Sequence, residues 1–335
     1  LTTISSGAFM HCTAIRSVTF DANSRIAQIA PYLFYECTNL QSVNNVPNTV
    51  TSIGPTFVDE VGNRYEGASF YNCINLENIS LPKYLKTIHV GSFMNCKKLK
   101  SIYFPISLST IGVSAFERCS QLVIPNGIID SSYIEKRAFY RCSSLSGEIQ
   151  ILSNQIDEEV FYGCTGITQV FLHVGIESIP KKAFYGCTSL IEVNATGVQT
   201  SIDPQAFYGC SKLTRCSFSP TVNIISQQAF YGCSNLIGGF PLSVTTINQQ
   251  AFYGCSKLVG PLPSTVTTIG IEAFHGCSSL TGEIPPSLTE LPKGVFYGCS
   301  KLTGEIPSSV TTIYAYALYG CRGLTGPPVP ITSSF

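Results

Sequence analysis

Fifteen cysteines in 335 residues are the first groups that could carry chemistry here, as disulfides, metal ligands or reactive thiols. Fourteen of them run from Cys12 and Cys37 to Cys299 and Cys321. Eleven of the thirteen gaps between them are 22 or 23 residues, and the exceptions are 25 (Cys12 to Cys37) and 36 (Cys37 to Cys73). Metal sites need ligands that converge in space, and no C-x-x-C occurs. One cysteine per period fits a small apolar plug instead, because a free thiol buries as readily as alanine or valine. Coils stacked about 5 Å apart lie within the span of a disulfide. Distance therefore leaves bridges open, but pairing neighbours would turn every buried side chain along the stack. The expectation is buried thiols, with no disulfide and no metal. Cys216, the fifteenth, falls on a strand position and is expected in the core.

The other reactive groups are sparse. His11, His89, His173 and His275 occupy different positions of the period, with no spacing that gathers them beside carboxylates. No G-x-S-x-G, H-E-x-x-H, P-loop or G-x-G-x-x-G occurs. Glu283 and Glu305 fall one period apart, with Glu148 in a similar place. Such a row could imitate a glycosidase pair, yet repetition alone accounts for it. No catalytic residue, enzymatic activity or cofactor is expected.

The elements that must position these side chains follow from the period. Each cysteine closes a motif such as Ala206-Phe207-Tyr208-Gly209-Cys210, and a fixed period of this length means stacked coils. Leu99–Gln121 is a clean example, with apolar Leu99, Ile102, Phe104, Leu108, Ile111, Ala115, Phe116 and Cys119. The alternation at its start predicts a short strand with Ile102 and Phe104 inward, stopped by Pro105. Leu108 and Ile111 form a second inward segment. Stacking lines the first strands into a parallel sheet. The phenylalanines from Phe9 to Phe296, with Leu318 in the last full coil, form a core ladder. The tyrosines beside them, such as Tyr185, Tyr208, Tyr231 and Tyr253, point the other way as a half-exposed stripe, with glycan stacking a minor alternative to plain packing. Gly209 and its equivalents suggest positive φ, but Glu36, Arg118 and Arg141 share that slot, so the requirement reads as loose.

Composition agrees. Charged residues make up 12% and hydrophobic residues 44%, as expected when each coil buries a ring of apolar side chains. Lys plus Arg and Asp plus Glu are 20 each, so no overall field draws nucleic acid. No apolar run reaches the ~18 residues that span a bilayer. We read residues 1–335 as one solenoid of about 14 repeats, interrupted by an extra stretch near 54–66 that bulges as a hairpin or ordered loop. Both ends fall within a repeat without the polar caps of solenoids, so the expectation is a piece of a longer protein. From Leu236 onward the coils carry Gly238, Gly260, Gly282 and Gly304 two residues after the leading leucine, predicting a narrower or more irregular sheet.

Period-2 alternation assigns the outward strand positions. Most are small and polar, including Ser17, Thr19, Asn78, Ser80, Gln169 and Ser217. Tyr103 and Phe171 stand out, and with Glu192, Asn194 and Arg215 they are the candidate ligand-binding residues, a composition suited to a contact hot spot. Asn78-Ile79-Ser80 and Asn194-Ala195-Thr196 read as glycosylation acceptors only in a secreting eukaryote.

Laid out as L-x-x-I-x-I-P-x-x-V-x-x-I-x-x-x-A-F-x-x-C, nearly the whole chain resembles the BspA-like leucine-rich repeats. The LTGEIP segments at Leu280 and Leu302 also look like the plant-type repeat, but the cysteine and the preceding Ala-Phe favour the BspA-like class. The resemblance implies a curved right-handed coil with a parallel concave β-sheet, short turns and second short strands on the convex side. It also implies a surface or secreted protein of host-associated microbes that adheres to an extracellular protein (matrix or host-surface) or a glycan. No catalytic residue is implied. A structural spacer and an accessory part of a carbohydrate-handling protein remain the rival readings.

Overall fold

The computed structural model describes residues 1–58, 64–238 and 240–326, and among these there is no helix. The chain forms two compact blocks, Leu1–Ile176 with Lys182–Leu190, and Glu177–Lys181 with Ile191–Phe335. Each is a solenoid of short parallel strands.

In the first block, the first-strand positions form two parallel sheets. One contains Ser17–Thr19, Ser42–Asn44 and Asn78–Ile79; the other contains Ile128–Ile129, Gly147–Ile151 and Ile167–Leu172. Between them, Ser101 makes only an isolated bridge to Val123. The first strands stack in parallel as expected, with an interruption at this coil. The Pro105 carbonyl accepts the amide of Leu108 at 2.9 Å, opening a tight turn that Pro47 and Pro82 repeat in coils whose first strands do pair.

The more regular ladder is the second one. It joins Gln28–Ile29, Ser52–Ile53, Thr87–Ile88, Thr110–Ile111, Tyr133–Ile134 and Gln155–Ile156, all parallel and in register. Each strand buries its isoleucine and turns the preceding side chain outward. The extra stretch contributes Phe57–Val58, antiparallel to Arg64–Tyr65, which matches the hairpin expectation; residues 59–63 between them lie outside the described residues.

In the second block, Glu192–Ala195 pairs with Arg215–Phe218, and Thr303–Glu305 with Gly323–Thr325. Between these stretches the first-strand position is reduced to the bridges Arg215↔Gly238 and Gly282↔Leu302, the irregularity expected of the glycine-bearing coils. The second ladder runs through Ser178–Ile179, Ser201–Ile202, Ile224–Ile225, Thr246–Ile247 and Thr268–Ile269, and a further pair joins Glu290–Leu291 to Thr312–Ile313.

A third set of bonds holds the Ala-Phe-x-x-Cys arc. In the coil of Phe93, the amides of Gly91, Phe93 and Asn95 donate to Val113, Ala115 and Glu117 of the next coil at 2.9, 2.8 and 2.7 Å. The two residues flanking each phenylalanine at a distance of two both have positive φ. After it stand Gly209 (72°), Glu36 (55°), Arg118 (60°) and Arg141 (57°); before it stand Gln205 (60°), Arg137 (59°) and Lys182 (55°). The slot after phenylalanine is therefore strict in conformation, although loose in residue type. The slot before it was not foreseen.

The core is a column of rings. Phe116 stacks between Phe93 and Phe139 at 5.2 and 5.4 Å, within 5° of parallel, and is fully buried. Phe104 is half-buried and meets Phe116 and Phe139 edge-on at 5.7 and 6.1 Å. Phe9, stacked on Phe34 alone, stays 37% exposed. In the second block the column runs through Phe207, Phe230, Phe252, Phe274 and Phe296. None of the fifteen cysteines is joined in a disulfide. The Sγ of Cys119 donates to the carbonyl of Phe93 at 3.0 Å, and Cys142, Cys164, Cys255 and Cys277 repeat that bond one coil at a time. Cys216 is buried as expected.

Candidate interaction surfaces

Phe171 lies between buried Val170 and Leu172 and faces outward, half-buried, as alternation requires. Strand register sets it beside Gln150, and Gln150 beside Ile128. The Gln150 amide donates to Glu148 Oε1 at 2.8 Å, so the row is an aromatic edge framed by polar side chains. Tyr103 is 63% exposed, but its coil has only the isolated Ser101 bridge at the first-strand position. Three repeats separate it from Phe171, about 15 Å at the strand spacing.

In the second block, Glu192 stands in register with Arg215 and Asn194 with Ser217, while Val193 and Cys216 face inward. Opposite charges thus sit one coil apart on the strand face. Burial, and then the neighbouring Glu192, push the Cys216 thiol pKa up. Asn194 Oδ1 accepts both the backbone amide and the hydroxyl of Thr196, at 3.2 and 2.8 Å. Its NH2 group is the part left for a partner.

The tyrosine stripe is a second stack of rings. Tyr140, Tyr162 and Tyr185 stack in the first block at 4.7 and 4.6 Å. In the second block Tyr208, Tyr231, Tyr253, His275, Tyr297 and Tyr319 stack at 4.4–4.8 Å. Each inner ring has both faces covered by its neighbours, leaving edges at the surface. Sugar stacking needs an open face, so this geometry disfavours the glycan alternative along the stripe. An amide ladder runs beside it: Gln205 donates to Gln228, Gln228 to Gln250 and Gln250 to Glu272, at 2.7, 2.6 and 2.8 Å.

A third surface was missed by sequence reasoning. In the first block, Thr56, Glu66, Thr87, His89, Thr110 and Glu135 line a cleft of about 440 Å³. Thr87 and Thr110 are adjacent outward positions of the second ladder, and Thr56 and Glu66 flank the extra hairpin. Burial lowers the His89 pKa, against a smaller opposing pull from Glu66. Glu135 Oε2 accepts the amide of Val113 at 2.9 Å. Only the length of the extra stretch hinted that something non-repetitive stood there.

The remaining histidines do not converge. His11 Nδ1 is 3.1 Å from Glu36, His173 is exposed and His275 is inside the ring stack. Among the described residues, no three His, Cys, Asp or Glu groups are arranged to hold a metal, and no helix is long and apolar enough to cross a membrane. Gly282 pairs with Leu302, two residues out of step with the 22-residue period, which takes Glu283 and Glu305 out of the row predicted for them.

The BspA type leucine rich repeat region matches in six copies, over residues 63–154, 132–259 and 260–332. The chain belongs to this family. BspA-type repeats generally serve as protein-interaction modules. Among solved structures, this BspA-type chain shares its fold with a leucine-rich repeat protein from Bacteroides ovatus. That match has TM-score 0.53 and 23% identity over 92% of this chain and 85% of the other. A leucine rich cell surface protein from Faecalibacterium prausnitzii matches with TM-score 0.44 and 20% identity, over 81% and 91% of the two chains. The leucine-rich repeat protein of T. pallidum matches with TM-score 0.43 and 30% identity, over 54% and 84%. No curated protein sequence matches.

Proposed function

We propose that this chain is a non-enzymatic adhesion module, displayed at the cell surface or secreted, that binds an extracellular protein through its strand face. The observation that carries the reading is the row of in-register outward side chains in each block: Phe171 beside Gln150, and Glu192 beside Arg215. Parallel coils repeat such rows at a fixed spacing, and an outward aromatic in one block and an opposite-charge pair in the other are each the kind of side chain that anchors a contact. Tyr103, Phe171, Glu192, Asn194 and Arg215 are the proposed contacts. Residues 1–335 are read as one repeat array of about 14 coils. A glycan partner is the weaker form of this proposal, because the tyrosine stripe offers edges instead of faces.

The test is an immobilised chain presented with purified matrix proteins and host-surface glycans. Capture of a protein, weakened about ten-fold or more by Phe171→Ala or Arg215→Ala with unchanged melting, is the expected result; ten-fold is the equivalent of 1.4 kcal/mol. Capture indifferent to all five substitutions would remove the strand face from the proposal. The isolated bridges at Gly238 and Gly282 favour a spacer role for those particular coils.

A further inference from the structure

In the second block, the left-handed corner before each phenylalanine carries a side chain that bonds along the stack. Gln205, Gln228, Gln250 and Glu272 form a directional ladder, each amide donating to the following rung. Its last bond runs from Gln250 Nε2 to Glu272 Oε2 at 2.8 Å. The next corner is Gly294, and Tyr316 holds the one after. The backbone does not demand glycine there. Gln250, Glu272 and Tyr316 take the same corner with φ of 54°, 54° and 59°, against 59° for Gly294. The three nearest neighbours of a Cβ on Gly294 would all be side-chain atoms, Glu272 Cγ at 3.1 Å and Glu272 Oε1 and His275 Cδ2 at 3.9 Å. What glycine does at this corner is omit one rung.

The omission leaves a recess of about 220 Å³, lined by Glu272, His275, Lys293, Gly294, Tyr297 and Tyr316. Its walls are held in place. The Glu272 amide donates to the Lys293 carbonyl at 2.9 Å and the Gly294 amide to Ala315 at 3.0 Å. His275 and Tyr297 stack on each other at 4.4 Å, and Tyr316, 64% exposed, forms the outer lip. Glu272 Oε2 is engaged by Gln250, so Oε1 is the acceptor presented to the recess. One carboxylate and one ammonium, Lys293, therefore border the same space. A charged guest of either sign would meet a like charge there. A primary carboxamide meets none, because its NH2 group donates to the carboxylate and its carbonyl accepts from the ammonium. It is also the group that fills the three preceding rungs.

We propose that the recess at Gly294 binds the primary carboxamide of a glutamine or asparagine side chain of the protein partner, with Glu272 Oε1 accepting from its NH2 group and the Lys293 ammonium donating to its carbonyl. The guest takes the rung that Gly294 omits, so the bond made by Gln250 on one side of Glu272 is repeated on the other. Each of the two bonds has one ionised member, the stronger kind of hydrogen bond. The polypeptide that carries the amide rests on the interaction reading; the choice of an amide rests on the corner ladder alone. Selectivity at this place comes from a single departure from the repeat, and the rigid coils on either side keep the recess formed before the guest arrives.

The probes are acetyl-glutamine, acetyl-(N,N-dimethyl)glutamine, acetyl-glutamate and acetyl-lysine, each as its N-methylamide so that only the glutamine side chain carries a primary amide. The reporter is the His275 Hδ2 resonance of the intact chain, assigned by its loss in His275→Gln. A saturable shift with the glutamine probe is expected at a Kd of about 1 mM, with the other three at least about ten-fold weaker. Glu272→Gln can still accept from Gln250 but lacks the carboxylate, so affinity falls about ten-fold. Gly294→Gln puts the chain's own amide in the omitted rung, at a φ that Gln250 already adopts, and abolishes the shift while the melting curve is retained. Equal binding of the dimethylated or lysine probe would overturn the proposal, as would full affinity in either variant or no shift with the glutamine probe. Capture of a partner protein that ignores Gly294→Gln also overturns the recess as a partner site and leaves the broader reading standing. A chain that captures no protein, yet shows the amide-selective shift, retains the recess and sinks the broader reading alone.

Discussion

The thiol of Cys119 and the amide of Cys96 share one acceptor, the carbonyl oxygen of Phe93, at 3.0 and 3.1 Å. The first bond crosses between coils and the second closes the turn within a coil. The cysteines that repeat this bond, such as Cys73, Cys142 and Cys277, are therefore donors as well as plugs, which gives the position a use for cysteine that alanine cannot fill. An alanine there would leave the carbonyl without its bond to the following coil.

Thiol labelling follows from this. Cys12 and Cys321 are half-exposed, and the remaining thirteen of the fifteen are buried. Burial also pushes Cys37 up to about 11 and Cys187 up to about 12, and the thiolate is the form that reacts. An aromatic disulfide reagent at neutral pH is expected to label Cys12 first and Cys321, which burial pushes up to about 11, more slowly in the native chain, and all fifteen in denaturant. Rapid labelling of more than two would contradict the buried column.

The phenylalanine column sets the second expectation. Phe116→Ala removes a ring with both faces covered and should cost about 3–5 kcal/mol in urea unfolding. Phe9→Ala removes a ring that is 37% exposed and stacked on one side only, at a cost of about 1 kcal/mol. Equal costs would mean that stacking depth does not govern stability.

Two glycine substitutions separate conformation from contact. At Gly209 φ is 72° and a Cβ would meet nothing within 4 Å, so Gly209→Ala should cost about 1–2 kcal/mol through the backbone alone. Gly112 lacks that positive φ but lies against His89, so Gly112→Ala should cost about 1–3 kcal/mol through crowding. Crystal structures of the two variants would show an unmoved coil in the first and a displaced residue 89 in the second.

A pH dependence is expected from Tyr133. Its hydroxyl donates to Asp157 Oδ2 at 2.6 Å, and that bond, with burial and the nearby carboxylates, pushes the phenol up to about 12 from an ordinary value of 10.0. A raised folded-state pKa means the folded chain holds its proton longer than the unfolded chain. The contribution is present below pH 10 and is lost as pH rises from 10 to 12. Urea midpoints measured across that window should fall less steeply in Tyr133→Phe than in the parent chain, and identical slopes would exclude the effect.

The coil, the phenylalanine and cysteine columns and the outward placing of Phe171 were legible in the sequence because each depends on period and alternation alone. Glu36 and Arg118 were misleading, because residue type marks a left-handed corner only when glycine stands there. Gln205 and Lys182, in the corner before phenylalanine, gave no mark at all. The interruption at Ser101 had no mark in the sequence, since Pro82 holds the same place as Pro105 in a coil whose first strand does pair. The cleft was invisible for a simpler reason. His89 and Glu135 share one position of the period two coils apart, but Glu66 stands in the extra stretch, which has no place in the period, so only the fold brings the three together.

The paired left-handed corners make the joint between neighbouring coils within a block chemically the same at every step. Unequal recombination that duplicates or excises one whole period would rejoin matching donors and acceptors, so such a gene can lengthen or shorten without redesign. A shift of one residue would displace every later corner. Inheritance of length is thereby quantised, and the hairpin between Gly54 and Gly67 marks a coil that cannot be exchanged for its neighbours.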